Sequence, residues 1–221
     1  MADVTSQGVL SAVARKSVSI GGGSPNFVGT TGTYELTTTS DSAVTLTAGV
    51  TSGNMSVVLI MSSVDVASIT DTGGNTYTEA LEYTAILPNF RIWYSLTTTA
   101  LSVADTITVN WTSPTYAVKV IECFEIENAT TLDVTSTASG FTTNAVATAT
   151  PTAPSVVVGA IGRNGTFTVS SGNNSTLLTS LTGTSSDYQS FYKNETATTS
   201  TSWGVTLASP AGITVALAVF K

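Results

Sequence analysis

Short apolar and β-branched runs, separated by turn-forming residues, recur along the chain and predict strands. In the first half they fall at roughly 56–63, 67–79, 90–97 and 105–126, the last span holding a hairpin broken near Ser113-Pro114. The second half repeats the scheme. Ser56-Val57-Val58-Leu59-Ile60 reappears 99 residues later as Ser155-Val156-Val157-Val158-Gly159, and Trp93-Tyr94 reappears 98 residues later as Phe191-Tyr192. Ile69-Thr70-Asp71-Thr72-Gly73-Gly74-Asn75-Thr76 is echoed by Phe167-Thr168-Val169-Ser170-Ser171-Gly172-Asn173-Asn174. Thr112-Ser113-Pro114 ahead of Val118–Phe124 is echoed by Ala208-Ser209-Pro210 ahead of Thr214–Phe220, at a spacing of 96 residues. Four landmarks in one order at nearly constant spacing mark an internal duplication. The closing runs, Ala117–Ile126 and Ile213–Phe220, are apolar on both faces of the pleat, which predicts strands in the middle of a sheet.

The pattern therefore predicts an all-β fold: a two-sheet antiparallel jelly-roll β-sandwich built from two similar four-strand halves, at about 46–130 and 150–221, within one domain spanning 33–221. The span Thr130–Pro154 is expected to hold one more strand and a crossing loop. Ahead of the sandwich, residues 1–32 contain Gly21-Gly22-Gly23-Ser24-Pro25 and short apolar patches, Val9, Leu10 and Val13, then Phe27 and Val28. Such punctuation reads as an extended N-terminal arm, either a disordered tail or a segment whose patches dock on neighbouring subunits.

Composition narrows the function. Of 221 residues only 10% are charged, the formal net charge is -7, and the seven cations are scattered. No basic stripe is present to neutralise phosphates, so neither nucleic acid nor an anionic membrane is an expected partner. The start of the chain places Asp3 where an export signal carries positive charge, and no apolar run approaches the roughly 18 residues that cross a bilayer, so a soluble product of the cytosol is expected. The single cysteine, Cys123, excludes an internal disulfide. Triplets of the Asn-x-Ser/Thr type, as at Asn54, Asn110, Asn128, Asn164 and Asn194, follow from abundant threonine.

Chemistry is sparse. The chain has no histidine, which removes Ser-His-Asp and Cys-His constellations. Cys123 lies between Glu122 and Phe124 in an apolar strand and reads as core. Glu125 and Glu127 share a strand face, with Glu122 on the other; paired carboxylates could serve glycoside hydrolysis, yet their position at a strand end reads as solvated. Asp71-Thr72-Gly73-Gly74-Asn75 offers oxygen ligands for calcium but reads as a hairpin turn. Among Trp93, Tyr94, Trp111 and Trp203, the adjacency of Trp93 and Tyr94 sends one inward, which leaves Tyr94 and its echo Tyr192 as exposed contacts suited to a partner or a sugar ring. No catalytic, cofactor-binding or metal-binding residue is assigned, and the chain is not expected to be an enzyme.

The segments Ile69–Thr78, Arg91-Ile92-Trp93-Tyr94, Thr106-Ile107-Thr108-Val109 and Cys123-Phe124-Glu125-Ile126 resemble a pattern of β-sandwich proteins from bacteriophage particles and bacterial surfaces. The resemblance covers Leu46–Lys221 and implies a virion component. The expected function is that of a capsid decoration or cement subunit of a tailed bacteriophage, made in the host cytoplasm and carried on the capsid surface. It would act as a homotrimer whose partner is the major capsid protein, with Val9, Leu10, Val13, Phe27, Val28, Tyr94 and Tyr192 as contact residues. The alternatives are a carbohydrate- or receptor-binding module of fibre or adhesin type and a self-assembling filament subunit.

Overall fold

A computed structural model describes residues 23–38, 42–84, 89–113, 117–163, 175–182, 187–196, 198 and 201–221. These form thirteen β-strands, with no helix among them. In the first half the strands are β1 (Asn26–Thr38), β2 (Ser42–Thr45), β3 (Met55–Ser62), β4 (Val66–Asp71), β5 (Thr78–Tyr83), β6 (Asn89–Leu96), β7 (Thr106–Trp111) and β8 (Ala117–Glu127). The second half supplies β9 (Leu132–Ala149), β10 (Ser155–Arg163), β11 (Thr176–Thr182), β12 (Asp187–Glu195) and β13 (Thr201–Phe220). Every strand pairing is antiparallel.

The strands lie in three sheets, and none mixes the halves. The first half forms a five-stranded sheet, β1-β8-β3-β6-β5, and a three-stranded sheet, β2-β7-β4. The second half forms a five-stranded sheet, β9-β13-β10-β12-β11, in the same spatial order as its counterpart. Its two longest strands stand in for pairs. Leu132–Thr142 of β9 pairs with Ala211–Phe220 of β13, the ladder is interrupted, and Asn144–Ala149 then pairs with Thr201–Thr206. Beyond the interruption Ala145, Ala147 and Ala149 are buried against Val157, Ile161, Phe191, Val215 and Leu217, so this end of the ribbon covers the outer face of its own sheet.

This corrects the expected division into two sheets, one from each four-strand half. The reason is visible in β3, all eight residues of which are buried. Val57, Leu59 and Met61 face the second half, while Val58 and Ile60 face the three-stranded sheet. A strand apolar on both faces needs a layer on either side. In two layers one face would meet water, at about 1.5–3 kcal/mol for each large side chain left uncovered. The two five-stranded sheets therefore pack face to face through Met55, Val57, Leu59, Phe90, Ile92 and Phe124 on one side and Val156, Val158, Tyr188, Ala216 and Phe220 on the other. Strands β8 and β13 sit inside their sheets.

Three further expectations change. The strand expected over 67–79 is two strands, because the chain crosses from the three-stranded sheet (β4) to the five-stranded sheet (β5) within it. Strand β1 begins at Asn26, inside the span expected as an arm, and pairs with β8 along its whole length. Phe27 is accordingly 9% exposed and part of the core. Residues 1–22, with Val9, Leu10 and Val13, lie outside the described residues. At the junction of the halves Asn128 takes the left-handed conformation, with φ of 60°, which asparagine tolerates better than most residues.

Close packing between the sheets is sharpest at Gly162 on β10. A Cβ there would stand 2.6 Å from Cε2 and Cζ of Phe90 and 2.7 Å from Sδ of Met61. Gly162→Ala is expected to cost about 1–3 kcal/mol in urea denaturation, with part recovered when Phe90→Leu is added. An unchanged midpoint would show that the sheets can separate there without penalty.

Candidate functional site

The aromatic residues expected at the surface are used in the seam between the halves. Tyr94 on β6 is half-buried with its ring 5.5 Å from that of Phe220, and Tyr192 on β12 lies stacked on Phe27 at 4.0 Å between centroids. Phe27 also meets Phe124 at 5.6 Å. Each tyrosine thus presses on an aromatic ring of the opposite half, which removes its face from a passing sugar. Phe90 and Tyr188, which occupy echoing positions, lie 6.3 Å apart with their rings nearly parallel. Equivalent residues meeting across an interface are the mark of a two-fold arrangement. Of the expected contact residues in the described chain, only Val28 is well exposed, at 50%.

Trp93 is partly buried against the cluster that includes Ile69, Tyr77 and Trp111, and Phe191 is buried in the second half. Trp111 donates its indole N–H to Ser42 Oγ at 3.2 Å, and the ammonium of buried Lys119 stands 4.5 Å from its ring centre. The side chain of Trp203 and the echo of the Asp71 turn at 167–174 lie outside what is described.

Glu127 of β8 stays partly exposed, but Glu122 and Glu125 do not sit in solvent as their place near a strand end suggested. Glu122 points into the seam and is fully buried. Its carboxylate accepts hydrogen bonds from three hydroxyls of the second half: Thr179 Oγ1, Tyr188 OH at 3.0 Å and Ser190 Oγ at 2.6 Å. Burial raises its pKa above the ordinary carboxylate range, and the hydroxyl bonds pull it partly back. The same burial, with the Glu122 charge beside it, pushes the Tyr188 phenol and the Cys123 thiol up. Cys123 itself is buried on the opposite face of β8.

Glu125, also buried, accepts from Thr51 N at 2.8 Å and Asn54 Nδ2 at 2.7 Å, fixing the turn before β3. Glu127 accepts from Asn26 Nδ2 at 2.8 Å. Glu122 is closed to any substrate and faces away from the other two, so the three carboxylates do not form an acid–base pair around one bond.

The Asp71–Asn75 segment is a clasp at the corner between sheets rather than a hairpin turn, since β4 and β5 belong to different sheets. Gly74 supplies φ of 72°, and Asp71 Oδ1 accepts the Asn75 N–H at 3.0 Å. Asp71 Oδ2 accepts from Asn75 Nδ2 at 2.9 Å and Tyr77 OH at 3.2 Å. Asn75 Oδ1 in turn accepts from the backbone N–H groups of Thr98 and Thr99, both at 2.9 Å. Both carboxylate oxygens are therefore occupied by protein donors. Among the described residues no group of three or more acidic or cysteine side chains is placed to hold a metal ion.

Sequence reasoning did not single out Arg91. Only 2% exposed on β6, it reaches Asp65 Oδ1 at 2.7 Å, Glu82 Oε1 and, at 3.5 Å, Glu79 Oε1. Burial and the neighbouring Glu82 raise the Glu79 pKa, against the lowering effect of Arg91. The signal was present: an arginine between Phe90 and Ile92, with acids on the neighbouring segments, is a charge a buried strand must pair.

No family model matches this chain, and neither the curated proteins nor the solved structures give a match.

Proposed function

We propose that this chain is a structural protein of a tailed-phage virion, a decoration or cement subunit that binds the assembled head through the major capsid protein and through its own copies in a trimer. One observation carries the reading: the first half is a nested antiparallel ribbon, β1 with β8, β2 with β7 and β3 with β6. We read that nesting as the winding of a jelly roll, which the continuous β9–β13 ribbon with β10–β12 would repeat. Jelly rolls serve in viral capsids, lectins and cupins, and the choice for this chain lies between the first two.

The treatment of polar groups favours the capsid side of that choice. Glu122, Glu125, Asp71 and Arg91 are committed to holding the scaffold. The tyrosines that a sugar-binding face would need are packed in the seam. What remains for binding is edges, loops and the N-terminal segment, where several weak contacts on a repeating shell add up by multivalency. With 10% charged residues, the association is expected to withstand added salt.

The test is co-sedimentation with phage heads that lack the protein, at low and high salt, beside a glycan array. Saturable binding that survives high salt supports the proposal. Heads that leave the protein in the supernatant would overturn it, and glycan binding in their place would favour the carbohydrate-binding module.

A further inference from the structure

The outer strands of the two equivalent sheets are unlike. Strand β1 is interrupted by register shifts at Phe27/Gly29 and Thr30/Gly32, which blunt a sheet edge. Strand β9 has its own shifts, at Val219/Phe220 and Thr206/Ala211 of its partner, but they leave a regular run between them. From Val134 to Thr142 it pairs with Val219–Ala211 without a shift, and no strand among the described residues pairs with its other side. Its one charge, Asp133, is turned inward to Lys221 Nζ at 2.8 Å and Thr152 N at 2.6 Å. Between Val134 and Ala149 there is no charged residue and no proline. Phe141, on this strand, is 79% exposed. A long, regular, uncharged edge is a template for another strand.

We propose that this edge receives the N-terminal segment of a second copy of the chain, laid along Leu132–Thr142 as a sixth strand. Within residues 1–22 the run Ser17-Val18-Ser19-Ile20 alternates polar and apolar, and Val9, Leu10 and Val13 lie in the same stretch. Leu10–Ile20 and Leu132–Thr142 are of equal length, about 36 Å when extended. Charge favours the match: Asp3 against Arg15 and Lys16 leaves the segment one unit positive, while the rest of the chain, with thirteen acids and five cations, stands at -8. The point of departure suits it too. Gly23 lies against the side chain of Asn128, four residues before β9 begins, so donor and acceptor start from the same end of the body. Each copy then gives one strand and takes one, a head-to-tail contact that makes a ring where the rotation closes and a filament where it does not. The inference goes beyond the proposed virion role and needs no capsid.

The test compares the full chain with a form lacking residues 1–22, without any phage component. By light scattering after gel filtration the full chain is expected to be oligomeric and the shortened form monomeric. A synthetic peptide of residues 8–22 is expected to bind the shortened form and to slow deuterium uptake over 132–142, and Phe141→Asp, at an exposed position, to weaken that binding. A monomeric full chain, the same number of copies per particle in both forms, or peptide protection elsewhere than 132–142 would each overturn it. Shell binding, measured separately, can survive any of these results.

Discussion

Glu122→Ala is expected to destabilise the protein by about 2–4 kcal/mol, because it leaves a cavity in the seam and strands three hydroxyls, two of them on buried residues, without their common acceptor. Glu122→Gln is expected to stay within about 1 kcal/mol of wild type at neutral pH. The amide fills the same space, its oxygen still accepts, and it avoids the cost of holding a charge out of water. The two variants separate shape from charge, and a pH series separates them further. The folded state raises the Glu122 pKa, so the folded protein binds this proton more tightly than the unfolded chain does. Stability contributed by the group is therefore full below the ordinary carboxylate range and falls as pH rises through the elevated folded value. The chemical midpoint of wild type should drop relative to Glu122→Gln as pH goes from acidic to neutral. Acids with a lowered pKa, such as Asp133 with Lys221 and Thr152, act in the opposite sense but are common to both proteins and cancel. A constant difference across pH would mean that Glu122 does not change its proton affinity on folding.

Much of the secondary structure was legible because period and punctuation are local signals. The duplication was legible because both copies keep Pro114 and Pro210 ahead of their closing strands and an aromatic pair in the same relative place. The number of layers was not. Alternation along β3 or β10 says that both faces are apolar, but whether a strand of the same half or of the other covers each face depends on long-range pairing. The echo even misleads by two residues. Val57 opposes both Phe124 and Tyr94, whereas its counterpart Val156 opposes Phe220 and Asn194, with Tyr192 opposite Val158. A slip of two keeps every side chain on its face, so the pattern tolerates it. Strand β1 escaped notice because its glycines and register shifts break the alternation that marks a strand. The role of Glu122 was readable in part: a lone acid between Ile121 and Cys123 in a run buried on both faces must find donors, but only the fold shows that they come from the other half.

The two halves are expected to unfold as one. A chain cut to 23–128 would leave one face of its five-stranded sheet bare, with Phe27, Met55, Val57, Leu59, Met61, Phe90, Ile92, Val120, Phe124 and Ile126 in water. At about 1.5 kcal/mol for each, the lower figure for a large apolar side chain, that loss reaches the top of the 5–15 kcal/mol that holds an ordinary domain together. The cut would also leave Glu122 without its three hydroxyls, and the exposed sheet face would offer a broad apolar patch to other copies. The half is therefore expected to aggregate or to stay expanded, although each half has its own strand order and its own inner cluster. The intact chain is expected to show one calorimetric transition, with calorimetric and van 't Hoff enthalpies equal. Two resolved transitions, or a soluble monomeric 23–128 fragment with native-like protection of β3 and β8, would mean that the seam is a contact between independent sandwiches. The seam would then lie closer to the polar interfaces that domains in one chain usually share than to a core. Its content argues for the core: aromatic rings from both halves interlock, equivalent strands face each other, and the buried carboxyl of Glu122 is met by hydroxyls from across the boundary.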